Sequence, residues 1–401
     1  MVAVQGATLA GLAAAARLAR LGHDVTLHTG GDPLGGRWST AMPSVIVLPA
    51  AWRDLFKKTG RALDPELAKV GLRLMEAPPA RHRFDDGTEL ELPTERGAQY
   101  HALAARYGPA AGGRWRDVLD GADDAWAAAR RHGVESPDRP RGATGTRALW
   151  LDRTLANLAD RVDEPHLARI LLDLRFPAGT SSPKAPAFLT TRLAVERTFG
   201  RWQLVDEQGR PQPASRLVSL LVARLRDRGV RLVDEDVAEP DIDCRPHRPR
   251  PSWWRPGPPA AEAPWVSVTE GVGASTAGIV EEIDHSSSRP VLTWARPGEA
   301  LVWDYGTTRR DLAWGLAPRR AADVLARPPV DDGGLLRASC CSPAGPEPWA
   351  ELSSAALAVY ELHERLTGED CRPTNRDFRP PRLRTAGPAA ARMRGRQEVV
   401  D

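Results

Sequence analysis

Residues 1–29 constrain the fold more than any other stretch of the chain. The short apolar run Val2-Ala3-Val4-Gln5 leads into G-A-T-L-A-G at 6–11, then into an Ala- and Leu-rich segment that stops at Gly22-His23. Asp24-Val25-Thr26-Leu27-His28 follows. An apolar strand, a tight glycine turn, a helix-period segment over 10–21 and a second strand over 24–28 predict a βαβ unit with parallel strands and a right-handed crossover. A dinucleotide-binding turn in this place reads Gly-x-Gly-x-x-Gly. The first glycine makes the turn, the second admits a pyrophosphate and the third lets helix and strand close together. Gly6 and Gly11 hold the outer places, and Thr8 stands in the middle one.

Further elements are legible downstream. A short strand is expected over 45–48 and a helix over 52–60. Alternation around Asp86-Gly87 predicts a hairpin over 83–92. Residues 96–175 read as mainly helical, broken by a Pro/Gly/Arg-rich loop at 136–145. A helix over 215–228 leads through Gly229 into a strand over 230–233. Residues 234–264 are rich in proline and read as a long loop containing Trp253-Trp254. Strands follow at 265–268, 291–294 and 300–303, then a helix over 349–366. The tail from 371 reads as frayed.

At 401 residues the chain is long enough for two or three domains. A net charge of +3 is small for that length and predicts no nucleic-acid partner. Lysines occur only at Lys57, Lys58, Lys69 and Lys184, so the basic residues are almost all arginines, read here as a solvated face. No apolar run approaches the ~20 residues of a membrane span. The first ten residues read as strand and turn rather than a signal peptide, which points to the cytoplasm. Cys244, Cys340, Cys341 and Cys371 lack zinc-ligand spacing and read as reduced thiols. The nine histidines form no HxH or HExxH pattern, so no metal site is expected. His28 ends the second strand and reads as a strand-end polar residue. Glu281-Glu282 and the run Asp234 to Asp236 read as solvated loop charges. No Gly-x-Ser-x-Gly elbow is present, which disfavours an α/β-hydrolase. No catalytic residue can be named.

The βαβ unit is followed by G-G-D-P-L-G-G-R at 30–37. Later come R-T-L-A-N-L-A-D-R at 153–161, S-S-P-K-A-P-A-F-L at 181–189, F-G-R-W at 199–202 and G-L-L-R-A-S-C-C-S-P-A-G at 334–345. In that order these pieces resemble the phytoene desaturase and amine oxidase flavoprotein superfamily. The resemblance implies an α/β fold: a Rossmann-like FAD/NAD(P)-binding domain with an inserted mixed α+β substrate domain. The first would draw on 1–60, 215–240 and 330–370, the second on 61–214 and 265–330, with 371–401 as a tail.

The resemblance also implies a cofactor crevice of Gly6, Thr8, Gly11, Thr29, Gly35, Gly36 and Arg37, with Ser339 and Cys340 in the C-terminal flavin segment. Arg37 is the expected phosphate contact, since guanidinium matches phosphate bidentately. Three family anchors are altered. Thr8 places a β-branched side chain toward the pyrophosphate. Thr29 stands where an acid would clamp the ribose. Ser339-Cys340 replaces a Gly-Asp pair. The strand and Asn-Ala-Asp-Pro-like stretch expected near 240–260 also reads as missing. At about 0.5–1.5 kcal/mol for each lost hydrogen bond, and more for charge-assisted ones, the loss is about 3–6 kcal/mol, or about 10²–10⁴ in affinity.

FAD is therefore expected to be weakly held or lost. An NAD(P) enzyme using the same turn meets the same obstruction at Thr8. Two readings follow. One is an FAD-dependent dehydrogenase, desaturase or isomerase acting on an apolar small molecule. The other is a flavin-free member of the fold: a non-redox cyclase or isomerase, a ligand-binding protein or a noncatalytic partner subunit. Trp202, Trp294, Trp303 and Trp314 are the tryptophans expected toward the substrate side. A nucleophilic thiolate at Cys340 or Cys341, aided by Arg337, is weighed against buried packing thiols.

Overall fold

The computed structural model describes residues 1–137, 142–249, 257–271 and 278–373. Trp253 and Trp254 and most of the expected tail lie outside the described residues.

The opening segment folds as its periodicity dictates. Strand β1 (Val2–Gln5) buries Val2 and Val4 and pairs in parallel with β2 (Val25–His28). Helix α1 (Leu9–Arg20) joins them. Thr8 starts that helix: its hydroxyl accepts the Gly11 N–H at 3.2 Å, supplying the oxygen that an N-terminal helix amide lacks. Leu9, Leu12, Leu18 and the alanines Ala13, Ala14, Ala15 and Ala16 are all fully covered, so α1 is buried on nearly every side. Small alanines let α2 (Arg216–Asp227) and α3 (Pro348–Thr367) pack against it.

The first sheet continues with β3 (Arg231–Val233), β4 (Ile242–Asp243) and β5 (Leu335–Arg337). Its order is β5-β4-β1-β2-β3, closed at the β5 edge by the short antiparallel strand Asp331–Asp332. The five labelled strands are parallel and doubly wound around β1. The order places the C-terminal ends of β1, β2 and β4 beside the G-A-T-L-A-G turn.

Two expectations are corrected here. The stretch 234–264 is not one long loop: β4 is a central strand of the first sheet, with Ile242 paired to both Val4 and Leu336. The strand expected near 240–260 and read as missing is thus present in two residues. Strand Ala260–Glu270 then begins five residues earlier than expected.

A second, six-stranded sheet runs in the order Ala260–Glu270, Glu299–Leu316, Val291–Arg296, Val280–Asp284, Ala80–Arg83, Glu89–Leu92. The last two strands are the hairpin read at Asp86-Gly87. All its pairs are antiparallel except Val280–Asp284 with Ala80–Arg83. Helices Arg96–Tyr107, Pro109–Ala129, Leu155–Val162 and Pro165–Asp173 cover the hairpin end, burying Leu103, Trp115, Leu158 and Leu171. A small third sheet, Ile46–Val47, Arg201–Asp206 and Leu72–Glu76, lies beside them.

Glu281 is a further correction. Expected as a solvated loop charge, it sits in strand Val280–Asp284 at 5% exposure and is ion-paired with the buried Arg201. Burying a charge without a partner is prohibitive, and here strand Arg201–Asp206 delivers the partner.

Candidate functional site

The residues expected to form the cofactor crevice separate into three groups. Gly6, Thr8, Gly11, Gly35 and Gly36 do come together. A methyl group at Gly11 would lie 2.0 Å from the Gly6 carbonyl oxygen, so the third glycine is there for helix–strand contact. The Gly35 N–H donates to Ala7 O at 2.7 Å, and Thr8 bridges to Gly35. Thr8 has no free hydroxyl: besides capping Gly11, it donates to Cys244 O at 2.9 Å.

Thr29 lies at the end of β2 with its hydroxyl donating to Asp234 Oδ1 at 2.9 Å. The acid missing from β2 is thus supplied by the chain leaving β3. Asp236, two residues on, accepts from Gln5 Nε2 at 2.6 Å and lies where a side chain at Gly30 would point. Arg245 sits against Gly6 and pairs with Asp243 at 3.0 Å and Asp236 at 3.7 Å. An Asp243–Arg245–Asp236 line therefore crosses the mouth of the crevice from the end of β4 to the end of β2.

Arg37 turns inward. Its guanidinium donates to the carbonyls of Ala313 and Pro346 and pairs with Glu351 at 3.2 Å. It stacks over Trp38 at 4.0 Å and Trp314 at 5.1 Å. Glu351, in the first turn of α3, also accepts the Trp38 indole N–H at 2.7 Å. Burial pushes the Glu351 carboxyl up, while Arg37, Trp38 and the backbone N–H of Ala10 pull the other way. Ala10 lies in the first turn of α1, where unsatisfied N–H groups and the helix dipole favour an anion. The chain's own carboxyl faces that amide.

Ser339 and Cys340 follow β5 and are buried. Ser339 Oγ accepts the Cys341 N–H at 3.2 Å, and Cys340 Sγ donates to Leu312 O at 3.4 Å. Its contact with Cys341, together with burial, raises the Cys340 thiol well above the ordinary cysteine range. This favours packing over nucleophilic use. Arg337 points elsewhere, to Asp243 at 3.2 Å and Asp332 at 3.0 Å. The His28 Nδ1–H donates to Glu235 O, 3.1 Å away.

A partly open cavity borders these residues at Pro346, the carbonyl that accepts from Arg37. It is walled by Trp126, Leu149, Phe188, Val195, Val324 and Trp349 among others, with Ala178 also in its lining. Trp126 and Trp349 meet edge to face at 5.3 Å. Sequence reading missed both as site residues, because nothing local in either helix marks which face meets the other. A second, smaller space shares Val47, Arg192, Glu347 and Trp349 with the first and reaches Trp294. From there Trp294, Trp303, Trp314 and Trp38 form a row with centroid spacings of 5.0, 4.8 and 6.5 Å. Trp294 and Trp303 are core residues, of which Trp294 borders that space, while Trp202 is bonded to Phe199 O. Arg192 stands between the spaces, held by Glu347 at 2.5 Å and Glu196 at 3.7 Å.

Among the described residues, no group of three or more His, Cys, Asp or Glu could hold a metal ion. None of their helices is long and apolar enough to cross a membrane.

Residues 9–44 match the family model of flavin containing amine oxidoreductases. The fold is similar to cyclohexylamine oxidase from Brevibacterium oxydans, with a TM-score of 0.58 at 12% identity over 91% of this chain and 99% of that one. It is similar to putrescine oxidase, with a TM-score of 0.50 at 13% identity over 91% and 98%. Hydroxyneurosporene desaturase of Cereibacter sphaeroides is 31% identical over 251 residues, 58% of this chain and 48% of the relative. The chain is phytoene desaturase- and amine oxidase-like. A 4,4'-diapophytoene desaturase of Staphylococcus aureus is 22% identical over 50% of this chain and 42% of its own length. This desaturase-like chain spans about half the length of the curated relatives it matches.

Flavin is the group around which such a fold is built, and the crevice can be tested for it. A pyrophosphate lying along 6–11 needs open backbone at the second glycine, a free helix N-terminus and a free cation. In this desaturase-like chain Thr8 occupies the first, Glu351 faces the second and Arg37 is consumed by protein oxygens. Arg245 crosses the mouth. As arranged, these side chains do not fit a dinucleotide docked along the turn.

Proposed function

We propose that the protein acts on an apolar, polyene- or terpenoid-like small molecule held in the cavity beside Trp126 and Trp349, and that its flavin is weakly held or lost. The apolar wall of that cavity carries the reading. Such sites typically offer a mostly hydrophobic surface with few polar groups to orient the ligand. Here Arg192 and Glu347 supply the polar edge. The names of the desaturase relatives support an oxidoreductase on a polyene substrate. Hydride acceptance is the chemistry a bound flavin would supply. This chain's residues would hold the substrate, exclude water and orient it through the Arg192 guanidinium.

A second reading is a flavin-free ligand-binding or isomerising relative. The contact of Glu351 with the start of α1 favours it.

The deciding experiment is an absorbance spectrum of the purified chain before and after addition of excess FAD and desalting, with a parallel titration of a soluble polyene. Flavin bands that survive desalting support the oxidoreductase. Polyene binding by a colourless protein supports the flavin-free form. Failure to bind any polyene overturns the proposal.

A further inference from the structure

A different cavity lies within the helix-covered end of the second sheet. Its wall is largely apolar: Leu92, Leu119, Ile170, Leu193, Ile283 and Leu292. Into it are also built three buried polar residues from three elements. His82 lies in strand Ala80–Arg83, His285 directly follows strand Val280–Asp284, and Asp173 ends helix Pro165–Asp173. They are 3%, 5% and 4% exposed.

The three form one line. Asp173 Oδ2 is 2.7 Å from His285 Nδ1, and His285 Nε2 is 3.0 Å from His82 Nδ1. Arg169 Nε donates to the same Asp173 oxygen at 2.7 Å. The parallel strand pair sets Ile283 beside His82, and the His285 N–H donates to Arg83 O at 2.8 Å. The rings of His82 and His285 lie nearly coplanar, 9° apart with centroids at 5.3 Å, as their hydrogen bond requires, and Phe84 stacks on His285 at 5.1 Å and 12°. Backbone pairing, this hydrogen bond and the Phe84 stacking together remove the freedom of both imidazoles.

With both imidazoles neutral, these contacts set the tautomers. The Asp173 carboxylate takes the His285 Nδ1–H, which leaves His285 Nε2 as an acceptor. That nitrogen takes the His82 Nδ1–H. His82 Nε2 is then left with a lone pair, on a residue that lines the cavity, and it makes no hydrogen bond to any described residue.

We propose that this cavity is a second ligand site, taking a neutral apolar molecule that carries one hydroxyl group, with the hydroxyl donating to His82 Nε2. Asp173 and His285 are positioning residues that hold His82 as an acceptor. Of the remaining polar wall, Arg201 pairs with Glu281, and Glu196 is held by Arg192 and Arg201. Asp173 Oδ1 is a further buried acceptor without a partner in the same wall, and His82 Nε2 is the acceptor assigned to the neutral hydroxyl. The proposal goes beyond the function assigned to the first cavity and does not rest on flavin.

The test uses the full chain and geraniol, with geranyl methyl ether as the partner that keeps the apolar body and lacks the donor. Calorimetry gives the two affinities. Long-range ¹H–¹⁵N spectra of the unmodified protein read the His82 imidazole nitrogens. We expect geraniol to bind about tenfold or more tighter than the ether and to shift the His82 Nε2 resonance, which the ether leaves unmoved. The preference should vanish in His82→Phe. If that variant does not fold, the spectra of the unmodified protein decide alone. Equal binding of alcohol and ether, an unmoved Nε2 signal or no binding overturns the proposal. Ala178→Phe, which narrows only the first cavity, should leave the geraniol-induced shift intact, so failure of the polyene reading remains separable.

Discussion

Glu351 Oε1 receives both the Trp38 indole N–H, at 2.7 Å, and the Arg37 guanidinium, at 3.2 Å. One carboxylate thus ties the start of α3 to the Gly-Gly-Arg turn. Removing it in Glu351→Ala strands a buried guanidinium. The expected loss is about 3–5 kcal/mol of stability. Glu351→Gln keeps an acceptor and should cost about 1–3 kcal/mol. Arg37→Ala should fall in the same range as Glu351→Ala, because Arg37 serves the fold. Urea denaturation checks all three, and an Arg37→Ala protein of unchanged stability would contradict the assignment.

Gly11→Ala tests the closeness of helix and strand. Its new methyl would meet the Gly6 carbonyl oxygen at 2.0 Å, a backbone atom that no side-chain movement can clear. Overpacking of this kind costs about 1–3 kcal/mol, and this case belongs at the upper end. A thermal melt within a degree of the parent would refute it.

His82 makes stability depend on pH. Burial lowers its affinity for protons, and the neighbouring His285 and Arg201 lower it further. Asp173, Glu196 and Glu281 are the acidic groups that line the same cavity, with Arg192, Arg197 and Arg201 as its cations. As pH falls below the ordinary histidine value of 6.5, the unfolded chain takes up the proton first. The His82 contribution is therefore fully present above that pH and is lost on acidification toward its lower folded value. The slope is at most about 1.4 kcal/mol per pH unit. The stability difference between parent and His82→Phe, followed by urea titration from about pH 7.5 to about pH 5.5, should shift in the variant's favour. A difference independent of pH would show that His82 is not held neutral.

Ala178→Phe should fill the rim of the first cavity. Affinity for a soluble polyene is expected to drop about tenfold, or about 1.4 kcal/mol. Fluorescence quenching of Trp126 and Trp349 is a suitable readout. Undiminished binding would move the polyene site elsewhere.

The first βαβ unit is legible because its evidence is local: apolar runs, a capping Thr8 and glycines at a fixed spacing. The hairpin at Asp86-Gly87 is legible for the same reason. What escapes reading is non-local. β4 has two residues, Ile242 and Asp243, too few to show a period, and they sit among prolines. Glu281 looks solvated until Arg201, distant in sequence, is brought against it. Asp234 replaces the acid that Thr29 lacks, but from a different strand. His82 and His285 lie 203 residues apart, and no spacing rule joins them. The apolar cavity beside Trp126 and Trp349 likewise exists only once two distant helices meet.

The doubly wound sheet has a consequence for how the chain is made. Its strands are drawn from residues 2–28, 231–243 and 335–337, and α1 is covered by α2 and α3, both distant in sequence. The alanine-rich first helix therefore leaves the ribosome hundreds of residues before its cover exists. Long-range closure of this kind is slow and leaves apolar surface exposed meanwhile. The nascent chain stays partly unfinished until α3 is made.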